Sequence, residues 1–169
     1  NHNFSLDNEP QDILEYWDNL ELIEKLPDSD IIIGSPPCIS FSNSNRSGKA
    51  DKSLGLKLTE VFLRIVAVKK YKKGSILNAW FMENVTNSLN YLARSYKFRD
   101  LNLYDWAKEN GYSPDKVVIT IEGNSSIINS AEYGSAQARK RAITGEFVKD
   151  EKFIMPPKTH CLKGENASL

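Results

Sequence analysis

Asp30-Ile31-Ile32-Ile33-Gly34-Ser35-Pro36-Pro37-Cys38 is the stretch that decides the fold. Three isoleucines between an aspartate and a glycine predict a buried strand in a parallel sheet. Gly34 ends that strand. The two prolines stiffen the turn by fixing φ and removing two N–H donors. Cys38 then stands just past the carboxyl end of a strand, the rim where open α/β sheets place their ligands. A cysteine held on a stiff loop there is a candidate nucleophile. The competing reading is a small core residue, the usual fate of a free cysteine. Two adjacent prolines speak against a core strand.

On either side the pattern continues. Residues 11–26 predict a short amphipathic helix or a helix plus loop, and Pro27-Asp28-Ser29-Asp30 a turn. Residues 40–57 are rich in Ser, Asn, Gly and Lys and read as a long mobile loop, a length typical of lids and binding loops. Residues 58–70 repeat Leu58, Val61, Phe62, Ile65 and Val66 at helical spacing and predict a helix ended by Gly74. Residues 76–82 predict a second strand that finishes at Glu83-Asn84-Val85, with Trp80 in an insertion between helix and strand. A helix over 98–110, stopped by Gly111, a strand over 116–121, a short apolar piece at Ile127-Ile128 and a strand over 142–148 follow. Strands alternating with helices predict an α/β fold with a parallel sheet.

The chain has 169 residues, enough for one domain with a real core. Apolar residues make up 40% and charged residues 26%, which excludes a disordered chain. Lys+Arg and Asp+Glu both number 22, so the chain lacks the overall basic excess of a self-sufficient nucleic-acid binder. Lys69-Lys70-Tyr71-Lys72-Lys73 reads as a solvated helix end, and Arg139-Lys140-Arg141 is a second basic cluster. The two cysteines and two histidines have no metal-ligand spacing, so no metal is expected. With no secretory leader visible, a reducing compartment is expected. No apolar run approaches the ~18 residues of a membrane span.

Two further signals join Cys38. Glu83 also terminates an apolar run, and one strand–helix–strand crossover would bring it to the same rim as Cys38. A partly buried carboxyl beside a thiolate suits a group that donates a proton or hydrogen bond. A turn or helix-capping glutamate is the alternative. Gln137-Ala138-Arg139-Lys140-Arg141 alternates at period two, so Gln137, Arg139 and Arg141 would project to one face of an extended segment. An arginine fork holds a carbonyl oxygen, carboxylate or phosphate. The alternative is a solvated basic edge.

Together these segments resemble the cytosine-C5 DNA methyltransferase family. The matching pieces are Gly34-Ser35-Pro36-Pro37-Cys38 with Phe41-Ser42, then Glu83-Asn84-Val85, then Tyr133-Gly134 followed by Gln137-x-Arg139-x-Arg141. Asn129-Ser130-Ala131-Glu132 resembles the stretch that precedes them, and Pro157-Lys158-Thr159-His160 the family's Pro-x-Thr-His exit. The resemblance implies a Rossmann-like S-adenosylmethionine-dependent methyltransferase sheet. It implies methyl transfer to C5 of cytosine in duplex DNA, with the target base flipped out. Cys38 would be the thiolate that adds to C6. Glu83 would contact N3 and the exocyclic amine, and Arg141, supported by Arg139, would hold O2 and orient Glu83. Pro37, Ser40, Ser42, Asn84, Val85 and Gln137 would line the base site, with residues 40–57 as the closing loop. Asp18, Pro36 and Leu58 would contact the cofactor.

The chain also departs from the family pattern. The glycine-rich cofactor motif, expected before Asp18, is absent, as is the acidic residue after a second strand. Ile39 stands where glutamine is usual, and Ser135-Ala136 where Val-Pro is usual. The expectation is therefore an incomplete sheet. Residues 1–160 would form a partial catalytic domain, and 161–169 would begin a linker towards a target-recognition region. A restriction endonuclease, as in restriction-modification, or a second subunit supplying the missing segments are the expected protein partners. The location would be the cytoplasm of a prokaryote or phage host, or a eukaryotic nucleus. Three rival readings stay open: a non-catalytic regulatory or DNA-binding relative, an RNA (tRNA) cytosine-C5 methyltransferase, and a cysteine hydrolase pairing Cys38 with His160.

Overall fold

The apolar spacing of residues 58–70 lies within one long helix, α3 (Lys52–Tyr71), in a computed structural model that describes residues 12–37, 52–147 and 154–160. Before it come two short helices, α1 (Glu15–Asp18) and α2 (Leu20–Lys25), and the strand β1 (Ile31–Gly34). After it come β2 (Ala79–Asn84), β3 (Ser95–Lys97), α4 (Tyr104–Glu109), β4 (Val117–Thr120), β5 (Ser125–Asn129) and β6 (Lys140–Phe147). The main sheet has the order β1-β2-β6-β5, and β3 pairs with β4 in a separate two-stranded sheet. The fold is thus mixed α/β.

The expected parallel sheet is mixed instead. Among the described strands only β1 and β2 run parallel; β6 lies antiparallel between β2 and β5. β1 is also less buried than three isoleucines suggest. It is an edge strand, with Ile31 53% and Ile33 75% exposed, because the described chain covers one face of the sheet only. Ile32 faces inward, towards α3.

That inward face holds the core. Val61, Leu63, Val66, Trp80, Met82, Phe98, Leu101 and Ile119 are all buried, and each such side chain stabilises the fold by roughly 1.5–3 kcal/mol. Phe62 meets Trp80 edge-on at 6.2 Å between ring centroids. Gly34 is needed for this packing: a Cβ there would lie 2.3 Å from the Phe62 ring. Trp80 is therefore a strand residue, opposite Ile32 and Glu146, and not part of an insertion.

Other expectations shift by physical cause. Six residues of the expected loop, 52–57, already belong to α3. The helix over 98–110 breaks in two, because Asn102 adopts a left-handed conformation (φ 54°) between a 3₁₀ turn (Arg99–Leu101) and α4. The basic run at the end of α3 is not a solvated end. Lys69, 5% exposed, binds Asp28 at 3.0 Å, and Lys70 binds Glu146 at 2.6 Å. Glu146 also accepts from Trp80 Nε1 at 3.1 Å and from the Thr120 amide at 2.8 Å, which ties α3, the main sheet and β4 together. No helix among the described residues is long and apolar enough to cross a membrane.

Candidate functional site

β1 and β2 end side by side, with Gly34 opposite Met82. The chain therefore leaves β1 through Ser35-Pro36-Pro37 alongside Glu83 and Asn84. These two consecutive residues point to opposite faces of β2, as alternation requires. Asn84 points into the core side and is 3% exposed. Its Nδ2 donates to the Pro36 carbonyl at 3.3 Å, and its Oδ1 accepts the Val85 amide at 2.8 Å. One buried amide thus joins the start of the turn after β1 to the end of β2, and both its ends are satisfied. The Val85 carbonyl in turn accepts from both the amide and the hydroxyl of Ser88.

Glu83 points to the other face. Its Oε2 accepts from Ser35 Oγ at 2.7 Å, and its Oε1 pairs with Arg141 Nε at 2.6 Å. The register explains the pair. Glu83 lies opposite Ile143 across the β2–β6 ladder, and Arg141, two residues before Ile143, shares its face as a diagonal neighbour. The Arg141 side chain is 21% exposed and that of Glu83 36%, so the pair is partly screened from water and still reachable. Arg141 Nη1 also donates to the Lys140 carbonyl at 2.7 Å, which fixes the guanidinium plane.

Only Arg141 of the Gln137, Arg139, Arg141 series lies in β6. Gln137 and Arg139 sit in the exposed turn before it. The Arg139 guanidinium has no partner among the described residues, so it remains free to meet an anionic or carbonyl oxygen. Cys38, Ser40 and Ser42 lie outside the described residues. Pro37 is exposed at the last described position before Cys38, and Pro36 is buried.

Asp18 lines a shallow groove of about 470 Å³ with Leu14, Trp17, Ser53, Leu54 and Lys57. Pro36 and Leu58 do not line it. The Lys57 ammonium lies 3.1 Å from the centroid of the Trp17 ring. Burial pushes its pKa below the ordinary lysine value, against the pull of the Glu60 and Asp18 carboxylates. Beneath this groove Arg64 is 3% exposed and donates to the carbonyls of Tyr16, Leu101 and Asn102. Its pKa is lowered to about 10 by burial. Arg64 is thus a clamp inside the fold that holds α1 against the turn before α4.

A carboxylate, a guanidinium and a hydroxyl converge on one rim, at the exit of the loop that leads to Cys38. Such a set can present donors and acceptors to a planar heterocycle with an amidine-like edge and a carbonyl. Ser35, Trp17 and Lys57 were not singled out by sequence. The one readable signal was the place of Ser35 in the proline turn.

A family model described as C-5 cytosine-specific DNA methylase matches residues 1–166. None of the curated proteins matches the chain. Members of that family methylate cytosine in DNA and generally use S-adenosylmethionine. The match spans almost the whole sequence and includes every segment of the rim just described, so this chain belongs to the C-5 cytosine-specific DNA methylase family.

Proposed function

We propose that this chain transfers a methyl group to C5 of cytosine in duplex DNA through a covalent adduct between Cys38 and a base flipped out of the helix. The observation that carries this reading is the Glu83–Arg141 pair at the rim where the chain leaves β1 towards Cys38. C5 of cytosine is a poor nucleophile, so the ring must first be activated. The Cys38 thiolate adds to C6, and the electron pair of the C5–C6 bond moves towards C5 and the ring carbonyl. Glu83 meets N3 and the exocyclic amine, while Arg141, with Arg139 beside it, faces O2 and offsets the charge that builds there. After C5 has been methylated, loss of its proton restores the C5–C6 double bond and expels the thiolate. Pro37, Ser40, Ser42, Asn84, Val85 and Gln137 surround the base in this reading.

The groove fits the adenine end of S-adenosylmethionine. Asp18 offers a carboxylate to an exocyclic amine, and Leu14, Trp17 and Leu54 offer apolar surface to a purine. When bound, the cofactor supplies an electrophilic methyl group. Pro36 and Leu58, which do not line the groove, are the further cofactor contacts implied by the resemblance.

Methyl acceptance by duplex DNA and by tRNA, measured with labelled cofactor, tests the reading. The expected result is labelled 5-methylcytosine in DNA, none in tRNA, and no label with Cys38→Ser although DNA binding persists. An active Cys38→Ser protein would overturn the nucleophile assignment. Label in tRNA alone would overturn the substrate.

A further inference from the structure

The turn that delivers Arg139 and Arg141 is fastened in an unusual way. Ser130 hydrogen-bonds it repeatedly. Its Oγ donates to the Gln137 carbonyl at 2.6 Å and accepts the Arg139 amide at 3.2 Å. Its amide donates to the Arg139 carbonyl at 3.0 Å, and its carbonyl accepts the Ser135 amide at 3.1 Å. Pairing of β5 with β6 ends at Asn129 and Lys140, so Ser130 continues the ladder by one residue and closes the turn above it.

The near side of the turn is held separately. The Glu132 carbonyl accepts the amides of Thr159 and His160, both at 3.0 Å, and its carboxylate pairs with Lys158 at 2.6 Å. Tyr133 Oη donates to the Pro156 carbonyl at 3.2 Å. Gly134 has φ +90°, and a Cβ there would lie 2.9 Å from the His160 ring. Residues 156–160 therefore clamp the entrance of the turn, and Ser130 clamps its exit.

Between these fastenings residues 135–139 are all exposed, and the Ala136 amide makes no hydrogen bond among the described residues. No burial of side chains orders the turn, so its hydrogen bonds to Ser130 carry that task.

We propose that Ser130 is the positioning residue for Arg139, holding by hydrogen bonds a turn that nothing buries. The role of Arg139 at the substrate rests on the function proposed above; the fastening by Ser130 does not. Fixing both the amide and the carbonyl of Arg139 sets where its free guanidinium can reach. Without that restraint the exposed turn must be ordered each time substrate binds, and affinity falls by that cost.

Two measurements on the full chain decide this. The first is amide hydrogen exchange and ¹⁵N relaxation over residues 135–139. Ser130→Ala should speed exchange of the Arg139 amide about 10-fold and raise fast motion across the turn. Ser130→Thr, which keeps the hydroxyl, should keep the protection. Unchanged exchange in Ser130→Ala, or protection lost equally in Ser130→Thr, would overturn the proposal. The second is a double-mutant cycle on duplex DNA affinity at fixed salt. If Ser130 acts through Arg139, Ser130→Ala weakens binding in the parent and adds nothing to Arg139→Ala. Additive losses would mean a general structural role and overturn it. A protein that binds no duplex DNA would sink the proposed function, and the amide measurements would still decide Ser130.

Discussion

Asn84→Ala removes the buried amide that joins the turn after β1 to the end of β2. The Val85 amide loses an acceptor at 2.8 Å, and the Pro36 carbonyl loses a donor at 3.3 Å. The first is an ordinary hydrogen bond, with a net contribution of about 1 kcal/mol; the second is long and contributes less. Asn84 is 3% exposed and Pro36 is buried, so water does not replace both partners at no cost. The orphaned groups and the small void together put the loss at about 2–3 kcal/mol. Urea denaturation reads this as a fall in midpoint at constant slope. Asn84→Asp keeps the shape and the acceptor for Val85 but sets a carboxylate oxygen against the Pro36 carbonyl. It should cost at least as much as alanine despite filling the same volume. Both variants free the turn two residues before Cys38, so methyl transfer should fall more steeply than stability. A loss below about 0.5 kcal/mol for Asn84→Ala, the size of an ordinary surface substitution, would refute the reasoning.

Other outcomes follow from the same geometry. Glu146→Ala leaves Lys70, Trp80 Nε1 and the Thr120 amide without their shared acceptor, and should cost about 3–5 kcal/mol by thermal or chemical denaturation. Asp28 is held below its ordinary value of 3.8 by hydrogen bonds from Lys72 and then Lys69. Its contribution is therefore complete above the unfolded value and lost as pH falls through the folded one, so Asp28→Asn should flatten the stability profile below about pH 4. Arg141→Lys keeps the charge but loses the fork that meets Glu83 and the Lys140 carbonyl. It should change stability by less than about 1 kcal/mol and lower methyl transfer far more.

Much of the framework was legible because it is local. The isoleucine run with its glycine marks β1, and the helical spacing of Val61, Phe62 and Ile65 marks α3. The strand over residues 142–148 was also legible as a strand, but its antiparallel place between β2 and β5 was not. That place depends on the turn over residues 130–139 and on β5, which is short and polar at its start. Lys69 and Lys70 look solvated by composition, yet their stems run along the core and their ammonium groups find Asp28 and Glu146. Asn102 breaks a helix that its neighbours would support, because its left-handed conformation sets a carbonyl against Arg64. At the candidate site, Glu83 stood out at the end of an apolar run and Arg141 in the period-two run from Gln137. The resemblance already implies that Arg141 orients Glu83; how they touch is a consequence of register, which no local pattern encodes. The hydrogen bonds of Ser35 and Ser130 were illegible for a related reason: the partners of a hydroxyl are chosen by tertiary structure.

The central claim is that Cys38 bonds covalently to a cytosine ring held by Glu83 and Arg141. Trapping on duplex DNA containing 5-fluorocytosine tests it most directly, because fluorine at C5 cannot leave as a proton does and the adduct persists. With S-adenosylmethionine present, the account predicts a protein–DNA species that survives denaturing electrophoresis, vanishes in Cys38→Ser and is much reduced in Glu83→Gln. A protein that methylates DNA yet leaves no such species, or one still trapped after Cys38→Ser, would contradict it.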